Sequence, residues 1–233
     1  MATYIFGEGP AATVSGTHKD TYLDLGFGSD DAYGGEATLQ VYGSGVGLNA
    51  VTLLRFDISS IPAGETVSSA VLRVYLATAP MGNMTVSARA LATDWGKTTT
   101  DEGATQTPAA DSQATGNKSF ANPTNTNWGG GGGFSGADYG ASQDTETVVG
   151  GAALGTAYDF NLATLVGNWH TGAQANHGVV LLSTSNDILE FDSQESLTAA
   201  ERPQLTVVTT VAPTPSTSSI ATKISRTSIG VRV

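Results

Sequence analysis

Between Thr52 and Leu76 apolar and polar residues alternate, pause, and alternate again. Leu54, Phe56 and Ile58 interleave with Leu53, Arg55 and Asp57, the period-two pattern of a half-buried strand. Pro62 and Gly64 interrupt it, and Ala70, Leu72, Val74 and Leu76 resume it against Val71, Arg73 and Tyr75. Proline presets φ for a turn and glycine tolerates φ above zero, so the pattern predicts strand, turn, strand.

The same reading predicts strands over Thr17–Leu25, Thr38–Tyr42, Val51–Ile58, Met84–Ala92, Gly178–Leu182, Ile188–Phe191 and Leu205–Val211. A single helix is expected over Asn161–Gly172. There Leu162, Leu165, Val166 and Trp169 recur at helical spacing, Asn161 offers an N-cap and Gly172 a stop. From Gly96 to Gly151 the apolar pattern nearly vanishes. An irregular excursion longer than about 15 residues is usually functional or disordered. Trp128, Phe134 and Tyr139 are the residues expected to pin parts of this one down.

Composition narrows the class. The 233 residues include 29 glycines and no cysteine, with 39% hydrophobic and 13% charged, which suits a loop-rich β domain without disulfides. A net charge of −11 argues against nucleic acid or anionic membrane as partner, since both are bound by cationic surfaces. Met1–Glu8 lacks the basic and apolar regions of a Sec signal, and no apolar run approaches the roughly 18 residues of a membrane-spanning helix.

The last residues differ in kind. Pro213–Ser219 reads as a linker and 220–233 as a basic arm with Lys223, Arg226 and Arg232 and no acid, leaving −14 on residues 1–219. Ile229 and Val231 alternate as in an added strand, so the arm is expected to dock on another copy or another assembly subunit by β-augmentation. The expected organisation is a β domain over 1–211, a linker over 212–219 and the arm over 220–233.

Three stretches resemble the DNRLRE-domain (disaggregatase-related) family, which overlaps a carbohydrate-binding-module family. They are Asp20-Thr21-Tyr22-Leu23 followed by Leu53–Ile58; the Ile61–Gly64 turn running into Ala70–Leu76; and Tyr158–Phe160 through Leu165–Gly172 to Phe191–Glu195 and Arg202–Val207. The resemblance spans roughly residues 14–210. It implies a jelly-roll-like β-sandwich that binds or displays rather than catalyses. Similar members accompany polysaccharide lyases and hydrolases or occur in cell-surface and phage virion proteins; some bind acidic polysaccharides, and calcium sites occur in the fold. Thr98–Asp101 stands where such domains usually carry a second tryptophan, which weakens transfer of any ligand site.

Candidate chemistry is sparse. Asp30 and Asp31 lie in a glycine-rich loop flanked by Asp20 and Asp24, oxygen ligands of the kind calcium takes, although the spacing is not that of an EF-hand. Trp128 and Tyr139 beside Asp138 suit sugar recognition, because flat rings stack on sugar C–H faces while polar neighbours bond hydroxyls; packing of the same rings into the core is the competing reading. His170 and His177 lack a third ligand at zinc-like spacing. Gly43–Gly47 holds a GxGxG string without the strand-to-helix context of a phosphate cradle. No acid/base cluster or nucleophile motif stands out, so no enzyme is expected.

The expectation is therefore an all-β, two-sheet, jelly-roll-like sandwich with one short helix and a C-terminal arm. Its first functional reading is a non-enzymatic structural or adhesion protein on a virion (head decoration or fibre) or an extracellular surface. The alternative is a carbohydrate-binding module for a polysaccharide, with calcium as an assisting ion.

Overall fold

The structure is a computed structural model that describes residues 1–15, 18–26, 30–45, 47–97, 102, 112–121 and 123–211. The linker and the arm, with Lys223, Arg226, Ile229, Val231 and Arg232, lie outside the described residues.

The strands are β1 (Ala2–Gly7), β2 (His18–Asp24), β3 (Thr38–Gly43), β4 (Leu48–Phe56), β5 (Glu65–Thr78), β6 (Met84–Leu91), β7 (Lys118–Phe120), β8 (Thr126–Asn127), β9 (Tyr139–Val148), β10 (Ala157–Asn161), β11 (Val179–Leu182), β12 (Ile188–Asp192) and β13 (Gln204–Val211). One helix, α1, spans Ala163–Thr171. Eleven of these strands form one continuous sheet, and β7 pairs with β8 separately. One half runs β1-β13-β5 with β10 on the far side of β5; the other runs β12-β3-β4-β11-β6-β9, with β2 on β4. The long β5 belongs to both halves, since its end also pairs with β12. The sheet curls so that the inward rows of the two halves meet, and the chain is all-β in a sandwich arrangement.

The core follows the alternation read from the sequence. Leu72, Val74 and Leu76 of β5 and Leu205 and Val207 of β13 pack with Leu54 and Phe56 of β4, Val86 and Ala88 of β6 and Val179 and Leu181 of β11. Leu165, Val166 and Trp169 of α1 complete it. The helix starts later than the sequence suggests. Leu162 is its N-cap, and Asn161 reaches in from one position earlier, its Oδ1 accepting from the Ala163 N–H at 3.1 Å. Gly172 closes it in the left-handed region at φ 73°, which a residue with a Cβ would occupy under strain.

Two expectations are corrected. Leu53 was expected on the solvent side of β4, yet Leu53 and Leu54 are both fully buried. A second core explains this: Leu23, Val51, Leu53, Val180 and Leu182 on the outer face are covered by Leu91, Trp95, Ala114, Trp128 and Phe134. The described parts of residues 92–138 thus form a layer on the sheet rather than an unstructured excursion. The second correction is β9, an antiparallel partner of β6 inside the stretch where no strand was expected. Its side chains are largely exposed and only Val148 is buried, so backbone pairing builds it without an apolar signature.

A buried ion pair holds the covering layer. Lys19 points from β2 into it and donates to the Trp95 carbonyl at 2.5 Å and to Glu102 Oε1 at 3.4 Å, with its ammonium 4.2 Å from the Trp95 ring centroid. Glu102 also accepts from the backbone N–H groups of Lys97 (2.7 Å) and Ala114 (2.9 Å). Burial lowers the Lys19 pKa to about 8 against the opposing pull of Glu102, and burial raises that of Glu102.

Candidate functional site

Residues directly opposite one another in an antiparallel ladder share a face. Four strands use this to build a polar and aromatic surface. Asp24 of β2 faces Ala50 of β4, Ala50 faces Tyr42 of β3, and Tyr42 faces Ile188 of β12. One row along, Tyr22 faces Thr52, and Gln40 faces Glu190, which faces Thr78 of β5. Because Ala50 is small and stands between Asp24 and Tyr42, the row dips there. The result is an open concavity of about 240 Å³ lined by Asp24, Gly26, Gln40, Tyr42, Asn49 and Ala50.

Its polar groups are held in place by their neighbours. Gln40 donates through Nε2 to Glu190 Oε1 at 3.1 Å, and Thr78 donates to Glu190 Oε2 at 2.6 Å. Thr52 donates to the Gln40 carbonyl at 2.9 Å, and the Gly26 N–H donates to Asp24 Oδ1 at 2.7 Å. Tyr33 stacks on Tyr22 with centroids 4.3 Å apart. Burial, followed by Tyr33, Glu36, Asp24 and Glu190, raises the Tyr22 pKa; burial, followed by Asp24, Asp31 and Glu36, raises that of Tyr33. Both phenols therefore stay neutral. Tyr22 is buried, whereas Tyr42, partly exposed on β3 beside an amide and a carboxylate, can stack on a sugar ring while its neighbours bond hydroxyls.

The sequence-predicted carbohydrate residues lie elsewhere, on the covering layer. Trp128 is 1% exposed, donates from Nε1 to the Thr115 carbonyl at 2.8 Å and meets Phe134 edge-on at 5.0 Å. Asp138 is fully buried; its Oδ1 accepts from Thr93 Oγ1 and the Gly129 N–H, and its Oδ2 from the Ser135 N–H and hydroxyl. This corrects both expectations: a ring and a carboxylate sealed in the interior offer a sugar no face and no free lone pair. Tyr139 is partly exposed, stacked on Phe134 at 5.7 Å with Arg89 over its ring at 5.4 Å.

The four acids expected to bind calcium are dispersed by their partners. Asp20 is buried, accepts from the Gln194 N–H at 2.9 Å and lies 3.4 Å from His18 Nε2. Asp30 Oδ1 accepts from Asn117 Nδ2 at 2.7 Å, Asp24 turns to the Gly26 N–H, and Asp31 acts on Tyr33. Among the described residues no group of three or more His, Asp or Glu side chains is placed to hold a metal ion. The histidines are also apart: His170 bonds the Glu65 carbonyl at 2.9 Å, and His177 Nδ1 lies 3.7 Å from Asp94, which pairs with Arg55 at 2.6 Å.

Residues 11–128 match the family model of carbohydrate-binding module family 96, half of the chain. The chain belongs to this family. The matched segment contains β2, β3 and β4 and hence every residue lining the concavity. It also contains Lys19, Glu102 and Trp128, so much of the covering layer is part of the module. No curated protein matches the chain.

Sequence reasoning named Asp24 only as a metal ligand and passed over Tyr42, Gln40 and Asn49. The available signal was modest: Gln40 and Tyr42 alternate with the buried Leu39 and Val41, marking an exposed aromatic on a strand face.

Proposed function

We propose that this module binds a polysaccharide through the concave face of β2, β4, β3 and β12, with Tyr42 as stacking platform and Asp24, Gln40 and Asn49 as hydroxyl partners. The observation that carries the reading is the coincidence of the carbohydrate-binding family match with the Asp24–Ala50–Tyr42 dip. Its position on strands rather than loops supports it, since the ladders fix the lining residues before ligand arrives. The module has no catalytic part in this reading; it brings a chain or particle to a glycan surface.

Display on a virion, the first expectation from sequence, rests on residues 212–233 and on composition, and no observation among the described residues favours it over glycan binding. Affinity electrophoresis against a panel of soluble polysaccharides tests the proposal. At least one polymer should retard the wild-type module, and Tyr42→Ala should remove the retardation while leaving the unfolding temperature within a few degrees. Loss of one stacked ring costs about 1.4 kcal/mol, roughly tenfold in affinity. Retardation unchanged in the variant would remove the face from consideration.

A further inference from the structure

A second cavity stands at the other end of β4. It holds about 270 Å³ and is lined by Arg55, Asp57, Ile58, Ser59, Trp169 and Asn176. Arg55 lies five residues along β4 from Ala50, about 17 Å in an extended strand, so this cavity is separate from the Tyr42 face. Trp169 and Asn176 also fall outside the residues that match the family model. The decisive group is the Trp169 indole. Its side chain is 8% exposed, and Nε1 is buried with no hydrogen-bond partner among the described residues. The other two tryptophans are bonded: Trp95 donates to the His177 carbonyl and Trp128 to the Thr115 carbonyl, both at 2.8 Å. A buried indole N–H ordinarily finds an acceptor, and the cavity beside this ring is where one can enter.

The lining supplies the remaining contacts. Arg55 gives Nη1 to Asp94 at 2.6 Å, and its other N–H groups make no hydrogen bond among the described residues. Asp57 takes the Ser59 N–H on Oδ1 at 2.9 Å, and its Oδ2 is unbonded among the described residues. Asn176 is committed to the backbone, donating to the Phe56 carbonyl at 2.7 Å and accepting from the Gly178 N–H at 3.1 Å, so it forms a wall. One guanidinium and one carboxylate beside an indole and Ile58 match neighbouring hydroxyls on a pyranose ring, one donating to Asp57 and the next accepting from Arg55. We infer that this cavity is a second glycan-binding site, taking a single hydroxyl-rich pyranose at a chain end or branch, with a ring or hydroxyl oxygen accepting from Trp169 Nε1. The inference stands apart from the Tyr42 reading, and either can hold without the other. With both sites filled, one module bridges two glycan segments.

The test is an NMR titration of the isotope-labelled full chain with methyl α-mannoside, methyl β-glucoside, methyl β-galactoside and methyl α-fucoside. Each is taken to about 100 mM, enough to saturate a site of roughly millimolar affinity. The chain has three tryptophans, so the indole region holds three peaks, and the one absent from Trp169→Phe belongs to Trp169. At least one glycoside should move that peak saturably and leave those of Trp95 and Trp128 in place. Asp57→Asn keeps the oxygen that accepts from Ser59 and should weaken the apparent affinity about tenfold, the loss of one hydrogen bond to a charged group. Trp169→Phe keeps the ring packing and should weaken the response of the Ser59 amide severalfold. A Trp169 peak unmoved by all four glycosides, or moved with unchanged affinity in Asp57→Asn, would overturn the site. The amides of Asp24, Gln40 and Tyr42 report on the first face in the same spectra, so failure of one reading is distinguished from failure of the other.

Discussion

Replacing Lys19 by methionine should destabilise the module by about 3–5 kcal/mol, the usual consequence of removing one partner of a buried ion pair. The structure gives the components. The Lys19 side chain is 1% exposed, and among the described residues its ammonium meets the Trp95 carbonyl, the Trp95 ring and Glu102. Its pKa of about 8, down from 10.5, corresponds to about 3 kcal/mol spent holding the charge in place. Methionine avoids that cost but strands Glu102, which keeps two backbone donors and loses its counter-charge. The double variant K19M/E102Q removes both charges and should recover to within about 1–2 kcal/mol of wild type.

Urea unfolding of wild type, both single variants and the double variant closes the cycle, and pH dependence adds a second readout. Lys19 releases its proton earlier in the folded state, so its contribution rises as pH climbs from about 8 to 10.5. Glu102 holds its proton longer in the folded state, so its contribution is complete below pH 4.5 and is lost as pH rises through its raised value. K19M should lose the alkaline rise. A loss under about 1 kcal/mol for K19M, or a double variant less stable than K19M, would refute the assignment of this pair as the clamp on the covering layer.

Other outcomes follow from the same structure. Trp128→Ala should cost about 3–5 kcal/mol in urea unfolding, since the ring fills the second core and its N–H is bonded; a near-neutral result would mean that the layer is not packed on the sheet. Gly178→Ala should fail to express as folded protein or lose more than about 2 kcal/mol, because φ is 91° and a Cβ would stand 2.3 Å from the Leu54 carbonyl. Glu195, raised to about 8 by burial and by Asp20, contributes fully below pH 4.5 and loses that contribution as pH rises through about 8. Glu195→Gln should therefore flatten the fall in melting temperature over that window; an unchanged slope would assign the fall to another group.

Much of the sandwich was legible because β3, β5 and β13 bury one face and so alternate cleanly. Strand β4 was found but half misread. Alternation assumes a single buried face, and nothing in Leu53 itself reveals that residues from 92–138 return to cover the other. Strand β9 was invisible because an edge strand with exposed side chains owes its existence to the β6 backbone. The site was misplaced for a related reason. Trp128 and Asp138 look like binding residues in a polar, glycine-rich stretch, and only the second core turns them inward. Tyr42 faces Ala50 across a local hairpin, but its other neighbour, Ile188, comes from a segment distant along the chain, which spacing within one segment cannot show.

The most direct test of glycan binding at the β2-β4-β3-β12 face is an NMR titration of isotope-labelled module with the tightest-binding oligosaccharide. The account predicts that shifts concentrate at Asp24, Gln40, Tyr42, Asn49 and Ala50 and leave Arg89 and Tyr139 unmoved. Shifts confined to Arg89 and Tyr139, or no shift with any glycan, would contradict it.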